Sequence, residues 1–334
     1  MNRIIVIGNG FDLAHGLRTS YSNFIDWVKY KIIKNPDEYF EHISLSEMNP
    51  CFGTDTPKAS SFFQRYYKGT KNLDEFIREC NKCKFVYRNN FLEHLINTLN
   101  LKNWVDIEEE YFKELNICFQ DYKKDENIDP IKKLNQDFAQ IKDDLEEYLC
   151  GENGKNVTIN EKLNSITKKF DLNDNILFLN FNYTSYVKYY AQHNMQIIHI
   201  HGELKNEKNP IIFGYGNEDN DIYKEINKKN CDDFFKNIKS FKYLDFSNYE
   251  KLKDFVNSAK YQIYIWGHSC GNSDGTLLKE LFEDDNCVSI KPFYYKYKNG
   301  SDNFNDIKMN IFRHFSNDRT FRNKFINKES CEEL

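Results

Sequence analysis

The stretch MNRIIVIGNGFDLAHG, residues 1–16, decides the fold of this chain. Its run of β-branched residues from Ile4 to Ile7 is typical of a buried strand. Gly8 and Gly10 follow at once, and glycine permits both a positive φ and the close approach of another backbone or a ligand. A helix that begins near Asp12 would leave unpaired N–H groups beside this turn, which together with the helix dipole attract phosphate. The stretch therefore predicts a strand–turn–helix unit with a phosphate site.

The same stretch departs from the dinucleotide-binding fingerprint at one position. That fingerprint requires glycine at its sixth position, which is occupied here by Leu13. Asp12 also brings a negative charge to the place of a phosphate, although it could equally cap the helix. A tight strand-to-helix turn that binds no ligand is the alternative interpretation. The rest of the chain has to decide between the two.

Composition excludes several classes of protein. A length of 334 residues suits one large domain or two ordinary ones. The chain is 40% hydrophobic and 16% aromatic, which is enough to form a hydrophobic core. The net charge of -5 argues against a general nucleic-acid-binding protein, which would carry a basic excess. The Lys-rich stretch 224–243 is locally basic, and we interpret it as a solvated helical face.

Two further features bear on location. The sequence contains no apolar run near the ~18 residues that span a bilayer, and no signal peptide precedes the first strand. Nine scattered cysteines in a chain of this size indicate reduced thiols and a cytoplasmic protein. Cys80 and Cys83 lack a second pair or histidines at ligand spacing, so we expect no metal site.

Three later segments repeat the order of apolar strand, small or polar residues and helix. They are 175–190 (NILFLNFNYTSYVKYY), 196–204 (QIIHIHGEL) and 261–282 (YQIYIWGHSCGNSDGTLLKELF). Strands followed by helices in this alternation predict a parallel sheet. The residues expected to end these strands or to cap the following helices are Asn182 and Thr184 in the first, His201-Gly202 in the second, and Gly267 with Ser273 or Asp274 in the third.

The remaining segments complete the architecture. Residues 20–170 are expected to be almost wholly helical, since apolar positions such as Ile107, Tyr111 and Leu115 recur at helical spacing. Short strands are expected at 211–216 and 288–297, and a final helix near 304–315. The prediction is an α/β fold with a parallel Rossmann-like sheet flanked by helices. Its α/β domain comprises residues 1–19 and 171–334, interrupted by a helical insertion over 20–170.

This architecture brings polar residues together. In an open parallel sheet, ligands bind outside the carboxyl ends of the strands. The turn from Gly8 to Gly10, Asn182, His201 and the loop from Gly267 to Ser269 each follow an expected strand. We therefore expect all of them to line one crevice.

The residue types in that crevice suit proton transfer and positioning. His201 is interpreted as a base, because an unperturbed imidazole titrates near ~6.5, whereas His199 is interpreted as a core or edge residue. The amide of Asn182 can orient a water or a sugar hydroxyl, although it could instead stabilise a turn. Asp106 and Glu108 could add carboxylates, but a solvated helix face is favoured for both.

Six motifs in the following order resemble the AbiH family of bacterial phage abortive-infection proteins. The resemblance covers essentially the whole chain and rests on GNGFDLAHGL (8–17), WVDIE (104–108), NFNYT (180–184), HIHG (199–202), IIFG (211–214) and GHSCGNSD (267–274). The same pattern is similar, more distantly, to sirtuins and other SIR2-like defence proteins. These carry a glycine turn, an asparagine in a TNYD-like motif, a histidine before glycine and a late GxS loop.

The resemblance implies a role for each matching residue. Asn182 and His201 match the catalytic asparagine and histidine. Departures are Asn9 in place of the small middle residue of the glycine turn, Asp12 near the phosphate site, Thr184 at the aspartate position of TNYD, and the lack of paired CxxC motifs. The last of these favours NAD hydrolysis over protein deacetylation. The residues implied in binding NAD are Gly8, Asn9, Gly10, Phe11, Asp12, Gly202, Gly267, His268, Ser269 and Asp274.

The expected function is therefore that of a phage-defence effector that binds NAD or a related dinucleotide and hydrolyses its nicotinamide–ribose bond. Expected partners are this small molecule and a phage-derived trigger, with no nucleic acid or membrane; homo-oligomerisation is left open. The alternative is a nucleotide-binding sensor without turnover. A dehydrogenase is discounted, because the acidic residue near the required spacing, Asp26, lies in a helix-like segment. A nuclease would need a metal-binding carboxylate cluster that the sequence does not show.

Overall fold

The computed structural model describes residues 1–45, 58–67, 69, 72–80, 83–102, 106–155, 157–168, 170, 174–192 and 195–334. Strands from both ends of the chain build its central sheet. In chain order, the strands within these ranges are β1 (Asn2–Ile7), β2 (Phe40–Leu45), β3 (Cys83–Tyr87), β4 (Ile176–Asn180), β5 (Met195–His199), β6 (Tyr261–Trp266) and β7 (Cys287–Phe293).

The main sheet has five parallel strands in the order β5-β4-β1-β6-β7. Numbered along the chain, these strands run 3-2-1-4-5, which is the order of a Rossmann-like sheet. Ile7 pairs with Asn180 on one side and with Trp266 on the other, so the carboxyl ends of the central strands lie level. The α/β fold class with a parallel Rossmann-like sheet is confirmed.

Strand β1 is central and covered on both faces. Ile4, Ile5, Val6 and Ile7 are all 0% exposed. Ile4 and Val6 pack into one apolar cluster and Ile5 and Ile7 into another, so alternate side chains serve opposite faces. This explains the uninterrupted apolar run, because a parallel strand with helices on both sides has no solvated face.

Helices cover the sheet and form a region of their own. None of the described helices combines the length and the apolar character that crossing a membrane requires. Their bounds are α1 (Asn9–Ala14), α2 (Tyr21–Lys34), α3 (Pro36–Tyr39), α4 (Ala59–Tyr66), α5 (Leu73–Glu79), α6 (Asn90–Lys102), α7 (Ile107–Asp125), α8 (Asp129–Asn153), α9 (Glu161–Thr167), α10 (Asp221–Ile226), α11 (Lys239–Tyr243), α12 (Ser247–Ser258), α13 (Gly275–Glu283), α14 (Phe304–Arg313) and α15 (Asp318–Lys324).

The region from α2 to α8 shares a hydrophobic core with buried residues of the segment 213–238. Ile107, Tyr111 and Leu115 on α7 are fully buried in it, as their spacing predicted. The region is not wholly helical, however, because β2 and β3 form an antiparallel sheet within it. On these strands, Phe40 stacks on Phe63 of α4 and Phe85 meets Phe63 edge-on, so strand pairing here buries aromatic rings.

Three strand predictions are wrong. β5 ends at His199 rather than at His201-Gly202. β4 ends at Asn180 rather than Asn182, because the Asn180 side chain binds the backbone of the next turn: Nδ2 donates to the Thr184 carbonyl (2.9 Å) and Oδ1 accepts from the Asn182 N–H (3.1 Å). The segment 211–216 is not a strand. Ile212 N–H donates to the His201 carbonyl (2.7 Å), and Tyr215 forms one isolated bridge with Ile238.

Of the two reasons expected for the glycines of this turn, the close approach of another backbone applies and a positive φ at Gly8 does not. Gly8 has φ -132°, which any residue can adopt, and α1 begins at Asn9 rather than near Asp12. Glycine is required for space: a Cβ on Gly8 would lie 2.4 Å from the Cα of His268, and one on Gly10 would lie 2.8 Å from the Gly267 carbonyl oxygen. The turn after β1 and the loop after β6 are therefore in backbone contact.

Gly267 should tolerate substitution worse than another glycine of the same conformation. Gly267 and Gly300 have φ +70° and +85°, but a Cβ at 267 would lie 2.1 Å from Phe11 N, whereas open space surrounds 300. We expect Gly300→Ala to cost about 1–2 kcal/mol and Gly267→Ala about 3 kcal/mol or more, measured by urea unfolding. Equal losses would contradict the backbone contact.

Candidate functional site

A cavity of about 1000 Å³ opens at the carboxyl edge of the sheet. This volume is at the upper end of the range for small-molecule and cofactor sites. Its wall is formed by loops after the strands of the sheet and by residues at the start of α2 and α7. The sequence-predicted residues that lie in this wall are Gly8, Asn9, Gly10, Asp12, Asn182, His201, Gly267, His268, Ser269 and Asp274.

Phe11 and Gly202 lie outside the part of the wall that the structure describes. Phe11 is fully buried, with its ring centroid 4.4 Å from that of His15 and 5.4 Å from that of Tyr190. Gly202 has φ +81°, and a Cβ there would lie 2.1 Å from the Pro210 carbonyl oxygen. The structure gives both residues a role in local packing.

The N–H groups expected to bind phosphate are bonded within the protein. Gly8 N–H donates to the Trp266 carbonyl (3.1 Å), Gly10 N–H to the Gly267 carbonyl (2.7 Å), and Phe11 N–H to the Gly8 carbonyl (2.9 Å). The expectation of unpaired donors is therefore wrong at these three positions. The Asn9 side chain is also engaged, since Oδ1 accepts from the Thr19 hydroxyl (2.6 Å).

Asp12 is a buried carboxyl beside Asn182 and Thr184. It is 2% exposed, and burial raises its pKa to about 6 although the Thr184 hydroxyl and the Asn182 amide oppose this. Thr184 was expected to cap a helix, but its hydroxyl donates to Asp12 Oδ2 (2.6 Å). Asp12 Oδ1 has no hydrogen-bond partner among the described residues. The carboxyl therefore retains an unused acceptor.

The amide of Asn182 is held in one orientation. Its Nδ2 donates to the Gly8 carbonyl (3.0 Å), which ties the turn after β4 to the turn after β1. A flipped amide would place two oxygens against each other. In the described part of the chain no group donates to Asn182 Oδ1, and the residue lies in the cavity wall. Asn182 therefore offers a free acceptor to a ligand.

Asp274 is the centre of a buried polar cluster rather than a helix cap. No side chain caps the N-terminus of α13, and Ser273 and Asp274 lie in a 3₁₀ turn before it. Asp274 Oδ1 lies 2.7 Å from Lys239 Nζ and 3.2 Å from His201 Nε2, and Oδ2 lies 3.4 Å from His268 Nε2. Although burial opposes ionisation, Lys239 and His201 hold the pKa of Asp274 well below its usual range.

The two histidines of the cluster differ in their hydrogen bonds and in their environment. His268 Nδ1 accepts from the Cys270 N–H (2.9 Å), so Nε2 carries the proton that points to Asp274. Burial and the nearby Lys239 lower the pKa of His201 to about 4, which corrects the expectation of an unperturbed imidazole. His201 Nε2 is also 3.0 Å from the Tyr243 hydroxyl. His201 is therefore neutral at physiological pH and a weak base.

Lys239 and Glu108 belong to this cluster. Lys239 was missed in the sequence, and Glu108 was named as a carboxylate that could be added, with a solvated position favoured. Lys239 is 0% exposed, although the stretch 224–243 was interpreted as a solvated face, and its Nζ lies 2.8 Å from Glu108 Oε2. The solvated interpretation was also wrong for Glu108, which is 5% exposed, and for Asp106, whose pKa burial raises. Burial raises the pKa of Glu108 to about 8 against the opposing charge of Lys239.

A sequence signal for these residues existed. Glu108 precedes Phe112 and Leu115 by four and seven residues, which places it on the apolar stripe of α7. Lys239 precedes the buried Tyr243 by four residues on α11. Asp106 caps α7, accepting from the N–H groups of Glu108 and Glu109 (3.1 Å each). The sequence also favours a helix start at Asn103 or Asp106, and residues 103–105 lie outside the described residues.

His199 and Ser269 differ in their position relative to the cavity. His199 packs away from the cavity, with Nδ1 3.1 Å from Asn180 Nδ2, in keeping with the core interpretation. Ser269 is exposed at the cavity, and its carbonyl accepts from Asn310 Nδ2 (2.8 Å). Within the described ranges, no group of three or more His, Cys, Asp or Glu residues could hold a metal ion.

Residues 4–296 match the family model described as "Bacteriophage abortive infection AbiH". The chain belongs to the AbiH family. No curated protein and no solved structure matches it. Membership assigns this AbiH protein a role in phage abortive infection, and the matched range includes every residue of the cluster around Asp274.

Loss of Lys239 should destabilise this AbiH protein strongly. Lys239→Met leaves two buried carboxyls without their cation, and removing one partner of a buried ion pair typically costs about 3–5 kcal/mol. Lys236→Met is the matched control, since Lys236 pairs with Asp233 at 2.6 Å but is 57% exposed, and exposed pairs contribute about 1 kcal/mol or less. Urea unfolding at pH 8 compares them; similar small losses would contradict a buried ion cluster.

Proposed function

We propose that this AbiH protein is a defence effector that hydrolyses the nicotinamide–ribose bond of NAD or a related dinucleotide. The observation that carries the proposal is the shared wall of Asn182, His201 and Asp274. It sets a free amide oxygen and a neutral imidazole beside buried carboxyls in a cavity large enough for a nucleotide.

Hydrolysis of the nicotinamide–ribose bond requires the kinds of group that this wall contains. Water forms a bond from its oxygen to C1′ of the ribose, while the C1′–N1 bond breaks and its electron pair stays with the nicotinamide ring. The ring leaves neutral, so no acid is needed, and the proton of the water passes to a base and then to solvent. Positive charge develops on the ribose in the transition state, and fixed negative charges stabilise it.

Each residue has a task that follows from its contacts. Asn182 Oδ1 accepts a hydrogen bond from a ribose hydroxyl or from the attacking water. His201 directs Nε2–H to Asp274, which leaves the lone pair on Nδ1 as a proton acceptor. Asp12 and Asp274 supply negative charge near the reacting bond. Positioning and electrostatic stabilisation together would then provide the rate enhancement.

The fit to a dinucleotide is uneven. The volume of the cavity is sufficient, and the aromatic rings of Tyr21, Phe181 and Tyr183 lie in its wall. The phosphates find less support, because the N–H groups of Gly8, Gly10 and Phe11 are already bonded. The residues that line the cavity therefore support recognition of the nicotinamide riboside half above all. Loss of NAD from an infected cell would stop phage replication together with host metabolism.

Turnover of NAD is the test of this proposal. We expect purified wild-type protein to release nicotinamide from NAD, as resolved by chromatography. Asn182→Ala should lose about 10²-fold in rate, because the substrate or water loses its orientation. His201→Ala should lose ~10²–10⁴-fold if the imidazole accepts the proton.

The control is a buried asparagine outside the described cavity wall. Asn135 is 8% exposed and bonds the Tyr111 hydroxyl (2.7 Å) and the Asp233 carbonyl (2.8 Å). Asn135→Ala should lower stability and leave the rate per folded molecule unchanged. Wild-type protein that binds NAD without turnover would instead indicate a sensor. Protein that neither binds nor cleaves NAD while protecting cells from phage would contradict the proposal.

A further inference from the structure

The cavity wall is rich in carboxyls. Five acidic side chains lie in it, whereas no lysine or arginine does among the residues described. Lys239 stands behind the wall and is 0% exposed, so it faces Glu108 and Asp274 and not a ligand. The five acidic residues are Asp12, Asp106, Glu108, Asp274 and Asp306.

The buried cluster is short of one positive charge. Lys239 is shared between Asp274 Oδ1 at 2.7 Å and Glu108 Oε2 at 2.8 Å. His201 is neutral, so one ammonium faces two carboxyls. Burial, together with the nearby carboxylate of Asp274, raises the pKa of Glu108 to about 8 against the opposing charge of Lys239. Glu108 therefore holds a proton in the free protein at neutral pH. A cation in the cavity would allow that proton to leave.

Independent features of the wall also suit a cation. Asp12 is 2% exposed and lies in the wall, and its Oδ1 has no partner in the described residues, which is costly for a buried acceptor. The aromatic residues Tyr21, Phe181 and Tyr183 lie in the same wall, and aromatic rings attract cations within about 6 Å.

We infer that the cavity is a binding site for a planar organic cation, and that Glu108 ionises when the cation binds. This deepens the proposed function, on which it rests for the identity of the cation as a nicotinamide ring that is positively charged at N1. Its neutral counterparts, which have the same shape without the charge, should bind less tightly.

The pH dependence has a defined sign. Below its pKa, Glu108 is protonated and must lose a proton for the cation to bind, so affinity falls as the pH decreases; above it, affinity is constant. Tyr21, Tyr183 and Tyr243 stay neutral in this range because burial raises their pKa values. The titratable and charged groups that face Glu108 are Lys239, Asp274, Asp106, Tyr21, Tyr183 and Tyr243.

The experiment compares 1-methylnicotinamide, a cation, with neutral nicotinamide by calorimetry between pH 6.5 and 8.5. Neither compound contains a bond that the proposed reaction cleaves. We expect the cation to bind about tenfold more tightly at pH 8.5, and its affinity to be roughly twentyfold weaker at pH 6.5 than at pH 8.5. Nicotinamide should show no such dependence.

Two variants assign the effect to Glu108. Glu108→Gln should remove the pH dependence and most of the preference for the cation. Glu110→Gln is the matched control: Glu110 lies on the same helix and is 6% exposed, but it pairs with His94 at 2.9 Å and Lys113 at 2.8 Å outside the described cavity wall. It should behave as wild type. Should Glu108→Gln fail to fold, the comparison of the two compounds on the wild-type protein still tests the inference.

The outcomes separate this inference from the proposed function. Equal binding of the two compounds at every pH, or a pH dependence that Glu108→Gln retains, overturns the inference even if NAD is hydrolysed. Preference for the cation with the expected pH dependence supports it even if NAD is not hydrolysed, in which case the proposed reaction alone fails.

Discussion

The buried ammonium of Lys239 is the interaction on which the rest of this structure depends. It joins the start of α7 through Glu108 to the loop after β6 through Asp274, and it lies on α11, far from both in sequence. An unpaired buried ammonium costs several kcal/mol, so all three segments must meet before the charge is compensated. The cavity lies beside these segments, and two of its wall residues, Glu108 and Asp274, are the carboxyls that bind the ammonium. Stability and the chemistry of the site are therefore set by the same contacts.

The fold and part of the site could be predicted because they follow from local patterns. The β-branched run at Ile4–Ile7 and the later strand–helix repeats determine a parallel sheet, and parallel strands place their carboxyl ends at one edge. Asn182, His201 and Ser269 were expected at that edge, and the cavity wall contains all three. The sequence indicated a close approach at Gly8 and Gly10 but could not give the contacting residues, because these are His268 and Gly267, more than 250 residues away.

The charged half of the site could not be predicted from composition, because charged residues are expected at the surface unless a partner buries them. Lys239 lies in a Lys-rich segment, and Glu108 in a run of acidic residues, so each looks solvated on its own. Both side chains can be buried only because they form an ion pair with each other. The same applies to the low pKa of His201, which is caused by burial and by Lys239. Pair interactions across the fold, rather than residue type, set these properties.

The region between β1 and β4, which contains α2 to α8, is thus not an accessory attached to the sheet. Glu108 comes from that region and Asp274 from the sheet, and one lysine binds both. Neither part can be exchanged for a counterpart from another protein unless the counterpart brings a carboxyl to the same place. Substitutions at positions 108, 239 and 274 should consequently be concerted among related chains, with a change at one accompanied by a change at another.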